Sequence, residues 1–74
     1  MNRRTYPHIV AANVAAAIDA AGEDTRSVAK ATDMQLHDLE SRLTGDTDFT
    51  ITELLHVGGF LHVPAHSLMR EVTA

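Results

Sequence analysis

The side chains here with reactive or ligating chemistry are five histidines, three serines and ten carboxylates. His62 and His66 are four residues apart, a spacing that places two metal-binding histidines on one helical face. Pro64 lies between them and breaks that face, and no carboxylate or cysteine completes a ligand set. Neither a metal nor a cofactor is expected. Nucleophilic catalysis finds no better footing. Ser27, Ser41 and Ser67 lack a glycine-rich elbow and a base with oxyanion donors. Glu40 and Glu53 are accounted for by a helix surface and a helix cap. The chain is not expected to be an enzyme, and its polar residues point to recognition instead.

Ten acids against six bases give a net charge of −4. A polybasic nucleic-acid or membrane surface is therefore not the default expectation. Tyr6, Phe49 and Phe60 are too few aromatics for a platform that stacks single-stranded bases. No apolar run approaches the ~20 residues of a membrane span, and the N-terminus lacks a signal peptide's apolar core. The absence of cysteine fits a cytoplasmic protein.

The elements that would position a recognition surface follow from periodicity. Residues 1–7 read as a flexible basic arm carrying Arg3 and Arg4, and residues 8–74 as one domain. Val10, Val14, Ala17, Ile18 and Ala21 share a face of a helix over 8–21, closed by Gly22. Residues 25–45, TRSVAKATDMQLHDLESRLTG, read as a helix-turn-helix. Its first helix covers 25–32 and its second about 35–44. Asp33 takes a left-handed turn position, and Val28, Met34 and Leu39 face a core. Thr50 and Glu53 form a capping box, with Phe49 and Leu54 as a hydrophobic staple. The fourth helix then runs over 51–61, with Leu54, Val57 and Leu61 inward. Gly58 in its interior predicts a close helix contact. Pro64 opens a fifth helix to about Val72, with Leu68 inward. The fold class is all-α, a compact five-helix domain. Val14, Ile18, Val28, Ala29, Leu39, Leu43, Leu54, Val57 and Leu61 are expected in one core.

The string ESRLTGDTDFTITELLHVGGFLHVPAHSL, in register behind the two-helix unit, resembles the Cro/repressor-type helix-turn-helix family in its phage or actinobacterial version. The residues that carry the likeness are Arg42, Leu43, Gly45, Phe49, Glu53, Leu54, Val63 and Pro64, and the resemblance covers about residues 10–70. It implies a lambda-repressor-like domain acting as a dimeric, sequence-specific regulator of transcription that occludes a two-fold symmetric operator in double-stranded DNA. The second helix would enter the major groove, with Gln35, Leu36, His37 and Ser41 facing base edges. Thr25 and Arg26 match the family's phosphate-contacting positions. Arg3 and Arg4 would serve as a minor-groove arm, and Lys30 and Arg42 would add cations to the same side. Leu55, Phe60 and Met69 are apolar positions left over for a homodimer interface. Seventy-four residues leave no room for a separate oligomerisation or ligand domain.

The chain departs from the family where charge matters. Asp33 replaces the usual turn glycine, Asp46 and Asp48 follow the probe helix, and Asp38 and Glu40 flank its reading face. Each weakens the electrostatic part of DNA affinity. The alternative reading is a protein-interaction module of the same fold, an antirepressor or an inhibitor of a host regulator.

Overall fold

The computed structural model describes residues 6–69, so Arg3 and Arg4 lie outside the described residues. Five helices follow in order: α1 (Tyr6–Ala20), α2 (Thr25–Ala31), α3 (Leu36–Leu43), α4 (Ile51–Leu61) and α5 (Ala65–Met69). No strand occurs among the described residues, so the domain is all-α. α1 packs against α3 and α5, α2 against α3 and α4, and α4 against α5. The core collects Val10, Val14, Ile18, Val28, Ala29, Leu39, Leu54, Val57, Leu61 and Leu68. Leu43 was expected inside but is half-buried at the edge of this cluster.

α1 begins two residues before the sequence boundary. Tyr6 and Pro7 belong to the helix, so the proposed arm over 1–7 can extend no further than residue 5. Pro7 read as a break. A proline in a first helical turn gives up an amide that has no partner there, and its fixed φ already suits a helix.

Four of the helices stop in the same way. A residue with positive φ follows the helix, and the next amide reaches back five residues. Glu23 N–H donates to the Ile18 carbonyl past Gly22 (φ 72), and Asp46 N–H donates to the Ser41 carbonyl past Gly45 (φ 85). Met34 N–H donates to the Ala29 carbonyl past Asp33 (φ 60), and Val63 N–H donates to the Gly58 carbonyl past His62 (φ 61). These are Schellman stops, which satisfy carbonyls left open by the last helical turn. Two are glycines, as the sequence suggests. Asp33 confirms the left-handed turn position, and aspartate tolerates it better than most residues. Nothing in the sequence marked His62 for the same role.

The starts are capped by side chains. Asp24 Oδ1 accepts from the Ser27 amide at 2.8 Å, opening α2. Thr50 Oγ1 accepts from the Glu53 amide at 3.0 Å, and Glu53 Oε1 accepts from the Thr50 amide at 2.9 Å. The capping box is thus complete, and Phe49 packs against the cluster holding Leu54.

The paired glycines of α4 have opposite surroundings. A Cβ on Gly58 would strike the Val63 carbonyl oxygen, so the chain leaving α4 folds back directly over it. The close contact expected there exists, but its partner is the α4–α5 connection and not another helix. Gly59 is exposed, and a Cβ there would meet nothing within 4 Å. An interior helical glycine costs about 1 kcal/mol against alanine. Packing within the chain explains that cost at Gly58 and not at Gly59.

Candidate nucleic-acid interface

The face to be tested is the outer side of α2 and α3, joined by residues 32–35. Leu39 anchors α3 and is fully buried. In a helix of 3.6 residues per turn, anchoring at Leu39 turns His37 and Ser41 toward the far side. His37 is exposed accordingly. Gln35 occupies the N-cap position, is exposed, and makes no side-chain capping bond. Its amide is therefore not used to start the helix. Leu36 is half-buried and packs against the core, so only part of it faces outward.

Thr25 and Arg26 begin α2 and share a groove with Asp24, Leu36 and Glu40. The start of α2 and the first turns of α3 thus border one depression. Its charge is mixed, because Asp24 and Glu40 line it beside Arg26. Asp24 is held below the ordinary aspartate range, chiefly by the Ser27 amide and then by the Ser27 side chain, with a smaller contribution from Arg26. It is a carboxylate at neutral pH. Lys30 is exposed further along α2.

Two residues assigned to recognition have duties inside the fold. Ser41 Oγ lies 3.0 Å from Thr47 Oγ1, and the Ser41 carbonyl accepts from the Thr44 hydroxyl and the Asp46 and Thr47 amides. It organises the exit from α3. Arg42 Nε donates to Glu53 Oε1 at 2.8 Å, and its Nη1 donates to the Asp38 carbonyl at 3.0 Å. The side chains of Arg42 and Glu53 are only 18% and 20% exposed, so this cation is largely withdrawn from any outside phosphate. Among the described residues, Arg26 and Lys30 are the exposed cations. Asp33, Asp38, Glu40, Asp46 and Asp48 are exposed acids.

Glu53 joins the capping box to the end of α3. Partial desolvation raises the affinity of its carboxyl for a proton, but the Thr50 amide and the Arg42 guanidinium outweigh this and hold it below the ordinary glutamate range. A depressed carboxyl stabilises the fold above its unfolded value, and that contribution disappears as pH falls through the folded value. Glu53→Gln keeps a capping acceptor and removes the ion pair. It should lower stability at neutral pH by about 1 kcal/mol and flatten the acid limb of a stability–pH curve. An acid limb unchanged by the substitution would exclude Glu53 as its source.

The leftover apolar positions divide. Phe60 and Met69 are half-buried and pack against the core cluster, so only part of each faces outward. Leu55 is 57% exposed, and its neighbour one turn earlier, Ile51, is 59% exposed. Ile51 was missed because position 51 was read only as the start of a capped helix. No group of three or more His, Cys, Asp or Glu side chains suited to a metal occurs among the described residues. No helix among them is long and apolar enough to cross a membrane. No protein-family model, curated protein or solved structure matches the chain.

Proposed function

We propose that the chain is a small sequence-specific regulator of transcription that reads duplex DNA with α3, held by α2, and acts by occluding an operator as a dimer. The observation that carries this reading is the division of α3. Leu39 is locked in the core while Gln35 and His37, at the outer start of the same helix, are exposed and have no capping or core role. The groove shared by Thr25, Arg26 and Leu36 supports it, since it sets the start of α2 beside the reading end of α3. The fold would then be a helix-turn-helix domain of the Cro/repressor kind.

Affinity would come mainly from base contacts and from pairing two half-sites. With Arg42 tied to Glu53, Arg3, Arg4, Arg26 and Lys30 remain of the five cations assigned to the DNA face. At about −0.9 per neutralised phosphate, the log–log salt slope should be no steeper than about −4 per subunit. The test begins with selection of bound sequences from random duplex DNA at low salt, followed by titration of His37→Ala. Specific binding should weaken by about 1–3 kcal/mol while random-sequence binding and the melting temperature hold. Equal losses on both DNAs would reduce His37 to a phosphate contact.

A second reading rests on the withdrawal of Arg42 and the acids beside Arg26. By that reading the same face meets a basic protein surface, as an antirepressor or inhibitor would. No binding to any duplex at low salt, together with capture of a regulatory protein from host lysate, would decide for it.

A further inference from the structure

We infer that the outer face of α4 formed by Ile51, Leu55 and Gly59 is a homodimer seam, in which α4 of one chain crosses α4 of a second copy in antiparallel fashion about Leu55. The seam names the surface for the pairing in the operator model, yet it requires nothing of α3.

Ile51 and Leu55 are the large hydrophobic side chains left exposed among the described residues, at 59% and 57%. They stand one turn apart, and Gly59 follows one further turn along the same side of the helix. Gly59 carries the helix penalty of an interior glycine, yet open space surrounds it. Close approach by a backbone from outside the chain gives that glycine a use. A two-fold axis at Leu55 makes the face self-complementary: Ile51 and Gly59 are each four residues from the axis, so Ile51 of each copy lies over Gly59 of the other. Leu55 then meets its own counterpart.

Charge selects the occupant. Each copy carries −4, so an approach of two copies is favoured along a seam without like charges. α4 has Glu53 as its one carboxylate and no Lys or Arg, and Glu53 is turned toward Arg42. Thr52 and His56 flank the seam as exposed residues without a carboxylate. A duplex would require cations here, and this face has none. A second copy is the partner that an uncharged, self-matching face on an acidic chain fits.

The full chain should sediment with twice its 8.0 kDa mass at high micromolar concentration. Leu55→Glu and, separately, Gly59→Leu should each raise the dimer dissociation constant at least about 30-fold, as truncation or blockage at the centre of an interface does. At dilutions where both proteins are monomeric, the Gly59→Leu chain should keep its helical circular dichroism and melt no lower than the unaltered chain, since removing an exposed helical glycine favours the helix. Because cysteine is absent, Leu55→Cys gives a single thiol that should oxidise to a covalent dimer, whereas Ala20→Cys on exposed α1 should not. A chain that stays monomeric up to millimolar concentration overturns the seam, as does a dimer that both substitutions leave intact. Either result leaves DNA binding by α3 to be judged by its own titration. A sound dimer that ignores every duplex instead removes the operator model and keeps the seam.

Discussion

Leu39→Ala should leave the chain on the edge of unfolding at 37 °C. Leu39 is fully buried, among the largest side chains without solvent contact, and joins α3 to the cluster of Val14, Val28, Leu54 and Val57. Truncating such a leucine costs about 2–5 kcal/mol, combining lost transfer energy with the cavity left behind. A 74-residue domain holds roughly 4–11 kcal/mol in total at ordinary stability per residue. At mid-range the loss is therefore about half of the whole, and should lower the melting temperature by roughly 10–30 °C. Leu36→Ala is the control. Leu36 lies on the same helix but is half-buried, so its truncation should cost clearly less. Urea titrations of both variants give the comparison. Equal costs would mean that α3 is not anchored at Leu39, and the outward position of His37 would lose its basis.

Gly58→Ala should destabilise the fold by about 3 kcal/mol, near the upper end of what overpacking costs. The added methyl would land on the Val63 carbonyl oxygen, which is backbone and cannot rotate aside. The same segment is tied down by the Val63 amide, which donates to the Gly58 carbonyl at 2.8 Å. Relief would require breaking the α4 stop and shifting α5. Gly59→Ala, one residue on, should instead stabilise the isolated chain by up to about 1 kcal/mol, because it removes a helix penalty without meeting any atom. The two neighbours should thus move thermal unfolding in opposite directions. A Gly58→Ala protein as stable as Gly59→Ala would show that the α4–α5 connection is displaced from the position described.

These contrasts also mark what was legible in the sequence. Three- and four-residue apolar spacing located α1 to α4, because burying one helix face imposes that period whatever the partner. The Thr50–Glu53 box and the glycine stops were legible for a related reason: caps are satisfied within six residues, so their chemistry is written locally. Asp33 belongs with them. What failed to show was set across the fold. Arg42 and Glu53 are eleven positions apart, and their ion pair exists only because α4 returns beside the end of α3. Arg42 therefore read as a free cation for DNA. The bond between Ser41 and Thr47 was not legible because it depends on the path of the intervening loop. His62 was not read as a left-handed stop, since histidine takes that backbone far less often than glycine and Pro64 was read only as opening the next helix. The inward half of Phe60 and Met69 went unread because they meet the core from the flanks of the α4 and α5 stripes.

The pairing of α1 with α5 has a consequence for synthesis. Asn13 Nδ2 donates to the Leu68 carbonyl at 2.9 Å, linking residues 55 apart in the chain. α1 leaves the ribosome before the other described helices, and the helix that covers its flank leaves after them. The helix stops and caps can form as each segment emerges, being local, but the α1 surface beneath α5 stays wet until residues 65–69 are free. Burial of α1 is then completed only by release of α5, and a nascent chain stalled before that point would present an unburied apolar flank to chaperones.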